Sequence, residues 1–151
     1  MGRNTSLQQI ERSIGRIGVV GSSVRAVRWR AARAGVDVST PGMGILGVLE
    51  RDGPQRVSLV ARKAGMVGPQ ASRELRSLEA AGYVERTTDD ADGRAVVVSI
   101  NAKGTDAYLR LRDASVAAAG AALAAWSAGE LAELARLLSR LANDFAAVAH
   151  E

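Results

Sequence analysis

The sequence predicts a mainly α-helical fold that contains one small β-hairpin. Apolar residues recur at steps of three and four along most of the chain, which is the period of an amphipathic helix. The composition is 47% hydrophobic but only 3% aromatic, with many Ala, Val and Leu residues, and this mixture favours helices over sheets. Two β-branched runs within residues 83–100 flank a loop rich in Asp and Gly, which is typical of a hairpin. A chain of 151 residues is expected to form one continuous domain.

Capping residues and glycines divide the helical part of the chain into six segments. Thr5 or Ser6 can cap a long first helix, which ends at a glycine. Asn101 can cap the fifth helix, and Ser127 with Glu130 forms a capping box for the sixth. The predicted helices are about 5–34, 40–52, 57–64, 69–81, 102–125 and 128–148.

The first and last helices each carry an apolar stripe with coiled-coil-like spacing, from Leu7 to Ala31 and from Leu131 to Val148. A stripe at each end of the chain favours terminal helices that form a homodimer. The alternative, in which both stripes belong to an intramolecular core, stays open. The predicted organisation is a helical dimerisation region, 1–36 and 102–151, joined to a lobe at 37–101 within one continuous domain.

The stretch 64–100 places a polar helix beside the hairpin. Gly68 can cap this helix, Pro69 suits its first turn and Gly82 suits its end. A helix of this size fits the major groove of DNA, and Arg94 at the end of the loop is placed to reach a minor groove. An ordinary surface helix followed by a hairpin is the alternative. The apolar face is Ala71, Leu75 and Leu78, whereas Gln70, Ser72, Arg73, Arg76 and Ser77 can contact base edges and phosphates.

Composition argues against several other functions. The chain has no Cys, which excludes disulfides and thiol chemistry, and it shows neither a signal peptide nor an apolar run long enough to span a membrane, so we expect a cytoplasmic protein. The only His, His150, lies at the C-terminus without partners for a metal site or a general base. Gly42–Gly47 matches G-x-G-x-x-G but follows no strand, so a dinucleotide site is not expected. No catalytic constellation is visible, and we expect neither an enzyme nor a cofactor.

The charge of the chain is unevenly distributed, although its net value of +4 is modest. Residues 1–35 hold seven Arg and one Glu, whereas residues 55–94 hold seven basic and six acidic side chains. The predicted DNA-reading segment is therefore nearly balanced. This balance keeps a rival interpretation open, in which a dimer of this fold has an architectural or protein-interaction role and binds DNA weakly or not at all.

Three motifs carry a resemblance to a known family: VSLVARKAGM at 57–66, SRELRSLEAAGYVER at 72–86 and DDADGRAVVVSINAKG at 89–104. With these motifs, residues 40–104 resemble the MarR family of bacterial winged-helix regulators. The resemblance implies a winged helix-turn-helix with long terminal dimerisation helices, the fourth helix in the major groove and the wing Arg in the minor groove. Ser72 and Arg73 match the family's Ser/Thr and Arg, Asp92 matches the wing Asp, and Arg94 matches the wing Arg. Gly93 departs from the pattern, since a second basic residue is common there.

These observations together predict a homodimeric transcriptional regulator, with a repressor of a palindromic operator as the favoured role. MarR-like proteins are often released from DNA by small aromatic anions, so an effector of this kind is an expectation from the resemblance. Its candidate site combines an apolar wall with guanidinium groups that can pair a carboxylate. Alternatively, Trp29 and Met43 are core residues and the Arg side chains are solvated. The candidate DNA-binding residues are Gln70, Ser72, Arg73, Arg76, Asp92 and Arg94, and the candidate ligand-binding residues are Trp29, Arg30, Arg33 and Met43.

Overall fold

The structure, a computed structural model, describes residues 2–89 and 92–148, so His150 and part of the predicted wing loop lie outside the described residues. The chain divides into two compact units, one ending at Ser115 and the other beginning at Val116. Helices and strands follow the order α1 (Arg3–Ser22), α2 (Val24–Ala34), α3 (Thr40–Asp52), β1 (Gln55–Arg56), α4 (Val57–Lys63), α5 (Gly68–Ala80), β2 (Val84–Thr88), β3 (Val96–Ile100), α6 (Ala102–Ala122) and α7 (Ala128–Val148).

The predicted first helix is wrong in its extent, because the structure divides it at Ser23 into α1 and α2. Ser23 adopts an extended conformation (φ −59°, ψ 145°), and its hydroxyl accepts a hydrogen bond from the Ala26 N–H. Serine at this position therefore caps a new helix instead of continuing the old one. The start also differs, since α1 begins at Arg3 with Gly2 as its N-cap rather than at Thr5 or Ser6.

The predicted hairpin forms, and a short strand extends it to a three-stranded antiparallel sheet of order β1-β3-β2. In the hairpin, Val84 lies opposite Ile100 and Thr88 opposite Val96. β1 was not predicted. It places Arg56 opposite Val97 on the other edge of β3, so the central strand of the sheet is the second strand of the hairpin.

The core of the winged lobe forms where α3, α4, α5 and the sheet meet. Its fully buried side chains are aliphatic, and each contributes roughly 1.5–3 kcal/mol through the removal of its surface from water. The apolar face predicted for the fourth helix is confirmed, because Ala71, Leu75 and Leu78 of α5 are buried. The largest fully buried residues are Ile45, Leu46, Leu49, Val60, Leu75 and Val98.

The predicted caps of the last two helices are confirmed. The Gly104 N–H donates to Asn101 Oδ1 at 2.9 Å, which caps α6. At α7, the Ser127 N–H donates to Glu130 Oε2 at 2.8 Å and the Glu130 N–H donates to Ser127 Oγ at 3.3 Å, so the capping box is complete. The Ser127 N–H and hydroxyl both donate to Glu130 Oε2, and these two bonds, the backbone one first, lower the pKa of Glu130. α6 ends at Ala122, earlier than predicted, since residues 123–126 form a turn.

The glycines of the G-x-G-x-x-G match lie on α3, and two of them, Gly42 and Gly47, allow close packing. A Cβ on Gly42 would lie 3.0 Å from the side chains of Val38 and Ser39, and one on Gly47 would lie 3.2 Å from the Tyr108 ring. Gly44 has only the end of the Met66 side chain within 4 Å. The helical setting has no strand before the glycines, so it lacks the geometry of a dinucleotide-binding turn.

The terminal helices expose their apolar stripes. α1 and α7 contain no buried residue, and Ile17 of α1 and Phe145 of α7 are 68% and 59% exposed. Exposed apolar stripes of this size commonly mark an interaction surface. Within residues 2–89 and 92–148, no helix combines the length and hydropathy that crossing a lipid bilayer requires.

Candidate nucleic-acid interface

α5 presents a cationic face on the side opposite the core. Its buried residues anchor one side of the helix, while Arg73 and Arg76 on the other sides are exposed. Gln70 and Ser72, also predicted to contact DNA, are half-buried near the start of the helix. Because residues three apart are neighbours on a helix surface, Arg73 and Arg76 share one face. The structure thus gives α5 the amphipathic character that its sequence predicts.

Side chains from outside the helix contact the middle of α5 and the residues that follow its C-terminus. Near its middle, the Ser39 hydroxyl donates to Glu74 Oε2 at 2.6 Å. Beyond its C-terminus, Lys103 Nζ donates to the Ala81 carbonyl at 2.7 Å, and Asn101 Nδ2 donates to the Gly82 carbonyl at 3.0 Å. Cationic and amide donors at a helix C-terminus satisfy carbonyls that have no intrahelical partner. These bonds anchor the C-terminal side of α5, and Glu74 is bound to a hydroxyl.

The N-terminus of α5 lacks a side-chain cap. The N-cap residue is Val67, one position before the predicted Gly68, and it makes no side-chain hydrogen bond. The reason is local: Val67 is the last residue with extended backbone (φ −76°, ψ 150°), and Gly68 already has helical geometry. Pro69 lies in the first turn as predicted, and Val67 is 70% exposed. The open end of the helix presents apolar carbon rather than a polar cap.

The wing carries Arg94 at its exposed end. Asp92 Oδ1 accepts a hydrogen bond of 3.2 Å from the Arg94 backbone N–H, and the Asp92 carbonyl accepts one of 2.8 Å from the Ala95 N–H. Across the base of the wing, the Asp89 N–H donates to the Ala95 carbonyl at 2.9 Å. Asp92 thus supports the backbone at Arg94, and the Arg94 side chain is exposed.

A groove of about 530 Å³ lies between the starts of α4 and α5 and the wing side of the sheet. Its polar lining includes the hydroxyls of Ser58 and Ser72 and the guanidinium groups of Arg56 and Arg86. Sequence reasoning found only Ser72 of these four. Arg86 had a readable signal, because it is two positions after buried Val84 and so lies on the same face of β2.

Arg86 is partly withdrawn from solvent. Its Nε lies 3.0 Å from Glu79 Oε2, close enough for an ion pair, although the direction does not meet hydrogen-bond geometry. Nε and Nη2 are both buried without a hydrogen-bond partner. Unpaired guanidinium N–H groups in such a place favour an acceptor from outside the chain.

Residues 55–94 carry nearly equal numbers of acidic and basic side chains, but the acidic and basic groups differ in the contacts that they make. Glu74, Glu79 and Asp89 each bind a hydroxyl or a guanidinium group of this chain. By contrast, three predicted DNA contacts form no ion pair among the residues that the structure describes, and these are Arg73, Arg76 and Arg94. The exposed cations on the outward face of α5 and in the wing therefore lack the ion-pair partners that Glu79 and Asp89 have.

A second charge cluster joins the ends of α3 and α4. Asp52 accepts hydrogen bonds from Arg51 at 2.8 Å and from Lys63 at 2.9 Å. These bonds, with that from Arg51 the larger influence, hold the pKa of Asp52 well below its usual range. The cluster ties two helices of the lobe together and lies apart in sequence from the predicted DNA contacts.

The four candidate ligand-binding residues each have an intramolecular contact. The Arg33 guanidinium lies 5.7 Å from the centre of the Trp29 ring, one turn earlier on α2. Arg30 Nη2 donates to the Gly21 carbonyl at 2.9 Å, across the break between α1 and α2. Met43 packs against the core of the lobe, whereas Trp29 is 45% exposed and so is not a core residue. Within the described part of the chain, no group of three or more His, Asp or Glu side chains is arranged to hold a metal ion.

Comparisons with known proteins agree with this geometry. Residues 36–95 match the MarR family, and no curated protein sequence matches the chain significantly. Among solved structures, a MarR family protein from Bacillus stearothermophilus is 16% identical with a TM-score of 0.79, and the match covers 97% of this chain and 99% of that one.

Two further structures are similar over nearly the whole chain. The transcriptional regulator BldR from Sulfolobus solfataricus is 25% identical with a TM-score of 0.70, covering 93% of this chain and 99% of that one. The PcaV transcriptional regulator from Streptomyces coelicolor, whose crystal structure contains its natural ligand, is 16% identical with a TM-score of 0.59 and coverages of 95% and 93%. These similarities support the mainly helical fold with a small antiparallel sheet that the structure shows.

Proposed function

We propose that this chain, whose residues 36–95 match the MarR family, is a winged-helix transcriptional regulator of that family and acts as a homodimeric repressor that binds a palindromic operator. In this proposal α5 enters the major groove and the wing enters an adjacent minor groove. Regulators of this family are transcription factors rather than enzymes, and we assign no catalytic activity to the chain. The location in the cytoplasm stays a prediction.

The observation that carries the DNA-binding proposal is the set of unpaired, exposed guanidinium groups on α5 and the wing. Arg73 and Arg76 project from the helix face opposite the core, and Arg94 lies at the exposed end of the wing. Arg side chains make bidentate contacts to guanine in the major groove and enter narrow minor grooves. Gln70, Ser72 and Asp92 complete the proposed set, the first two near the start of α5 and the third by supporting the backbone at Arg94.

The exposed stripes of α1 and α7 support the homodimer. A stripe that stays in water would lose the hydrophobic stabilisation of its Leu, Ile, Val and Phe side chains. A second copy of the chain offers the same stripe and can cover it through a two-fold interface. A two-fold dimer places two copies of α5 about one turn of DNA apart, which suits a palindromic site. We propose the boundaries 1–36 and 102–151 for the dimerisation region and 37–101 for the winged lobe.

The test is a salt titration of DNA binding by fluorescence anisotropy. The upstream DNA of the chain's own gene is compared with a scrambled duplex of the same length and composition. A sequence-reading regulator should prefer its own DNA at every salt concentration, with affinity falling by about 0.9 log units per phosphate contact for each log unit of salt. Equal affinity for the two duplexes would favour the rival role, a dimer with an architectural or protein-interaction function.

We also propose, as a separate step, that a small aromatic or other anionic effector shifts the protein away from its DNA-bound form. The stacked pair of Trp29 and Arg33 supplies an aromatic face and a guanidinium group, with Arg30 one residue from Trp29 and Met43 on α3. A ligand changes the population of two states only by its differential affinity for them. A thermal-shift screen with aromatic carboxylates such as salicylate tests this. A ligand that stabilises the wild type but not Arg33→Ala, and that also lowers DNA affinity, would support the site, whereas the absence of both effects would remove it.

A further inference from the structure

An ion pair ties the base of the wing to the helical part of its lobe. Arg56 Nε donates to Asp89 Oδ2 at 2.7 Å, and Arg56 Nη2 lies 2.6 Å from the same oxygen. Asp89 directly follows the last residue of β2, and its backbone N–H bonds to Ala95 across the hairpin. The carboxylate that Arg56 holds is therefore at the point where the wing leaves the sheet.

Arg56 is itself well anchored. It pairs with Val97 of β3 through the backbone of β1, and it is the N-cap residue of α4. α4 in turn inserts Val60, which is fully buried, into the core. The ion pair thus connects the wing to an element that cannot shift without disturbing the core, rather than to another surface loop.

We propose that Arg56 and Asp89 are positioning residues that hold the wing at the angle from which Arg94 reaches DNA. This inference rests on the proposed function, since it concerns the same DNA-binding surface. Restraining the base of the wing in the free protein reduces the conformational freedom that is lost on binding. The restraint matters more here because the wing contains Gly93, the residue type with the greatest backbone freedom.

Replacement of Asp89 allows a test in which a positioning role and simple electrostatics predict opposite changes in DNA affinity. Asp89→Asn preserves the size of the side chain but removes one negative charge from a surface that would meet phosphates. Electrostatics alone predicts tighter DNA binding. Loss of the wing restraint predicts weaker binding, by about two- to five-fold, the range expected for loss of a partly exposed ion pair. Replacement of Arg56 is less informative, because removal of a cation weakens binding under both explanations.

The experiment measures operator affinity of the full-length protein by anisotropy. We expect Asp89→Asn to weaken binding and the control Asp113→Asn, an exposed Asp on α6 with the same charge change, to have no such effect. In an Arg94→Ala background the Asp89→Asn effect should disappear, because positioning acts through Arg94. Tighter binding by Asp89→Asn, or an undiminished loss of affinity in the Arg94→Ala background, would overturn the proposal.

A measurement without DNA separates this proposal from the proposed function. Amide hydrogen exchange of the free protein should be faster at Asp89 and Ala95 in Asp89→Asn than in the wild type, whereas exchange in α5 should not change. Unchanged exchange at both wing amides would overturn the restraint even if the protein binds DNA. Faster exchange in a protein that shows no preference for its upstream DNA would support the restraint and count against the proposed function alone.

Discussion

Replacement of Arg73 and Arg76 by Ala gives the most direct test of how α5 would read DNA. Both side chains are exposed, and neither forms an ion pair among the described residues. Their removal therefore deletes no stabilising contact, and the free energy of unfolding should change by no more than about 0.5 kcal/mol. Any larger loss of DNA affinity is then a property of the interface and not of folding.

The size of the effect depends on whether each Arg contacts a base or a phosphate. One bidentate Arg–guanine contact contributes about 1–3 kcal/mol of discrimination. A dimer on two half-sites doubles this to about 2–6 kcal/mol, and the lower limit corresponds to roughly 30-fold in affinity. A phosphate anchor instead weakens specific and random DNA alike, and its loss reduces the salt slope by about 0.9 per contact, or about 1.8 per dimer.

The assay is competition anisotropy on the upstream DNA and on a scrambled duplex, at several salt concentrations. Arg112→Ala, which removes an exposed Arg from α6, is the matched control and should leave both affinities almost unchanged. A residue that reads sequence loses affinity mainly for the upstream DNA. If Arg73→Ala and Arg76→Ala both lose the same factor on both duplexes, α5 does not read the sequence, and the assignment of its cationic face is refuted.

Three further replacements test the wing, the dimer and the packing of the lobe. Arg94→Ala should weaken operator binding by about ten-fold, consistent with roughly 1.4 kcal/mol, without a change in melting temperature; unchanged affinity in a gel shift would refute its minor-groove role. Leu134→Asp should convert the dimer to a monomer or unfold it, as seen by light scattering, whereas Asn143→Asp on the same helix should remain a dimer; an intact dimer in both would contradict the α7 interface. Gly104→Ala should strongly lower the melting temperature, because the new Cβ would overlap the Tyr83 carbonyl oxygen, and calorimetry showing wild-type stability would refute this.

Most of the winged lobe was predictable because its signals are local. The end of α5 at Gly82 needs a positive φ, which the structure gives as 75°, and glycine tolerates it at no steric cost. Asn101 caps α6 through an amide only three residues away. The buried face of α5 also follows directly from helical spacing. In each case the residues that decide the structure lie within one helical turn of each other.

The break at Ser23 was missed because the apolar period continues through it. Val20, Val24 and Val27 keep steps of four and three, so hydrophobic spacing alone predicts one helix. The competing signal was the local hydrogen bonding of serine, in which its hydroxyl replaces a backbone partner and caps the next helix. The strand β1 was missed for a different reason: it has two residues, and its partners on β3 are about 40 positions away.

Long-range partners also explain which site residues could not be foreseen. Arg73, Arg76 and Arg94 could be predicted as exposed from the sequence. Arg73 and Arg76 lie off the apolar face of a regular helical pattern, and Arg94 lies at the end of a loop rich in Asp and Gly. Arg56 has no such signal, since its partner Asp89 is 33 positions away and Arg56 lies on β1, whose pairing with β3 the sequence did not reveal. Neither amino-acid composition nor hydrophobic periodicity can indicate a contact between two residues so far apart in the sequence.

The same long-range pairing resolves the charge balance of residues 55–94. Six acids against seven basic residues indicate an almost neutral segment, but electrostatic attraction to DNA depends on which charges remain available at the surface. Glu79 is paired with Arg86 and Asp89 with Arg56, so each acid is neutralised close to its own position. Among the described residues of this segment, Arg73 and Arg76 on α5, Arg94 in the wing and Arg62 on α4 form no ion pair. A nearly neutral segment can therefore present a cationic face, and the rival role must rest on a measured absence of sequence preference rather than on the count of charges.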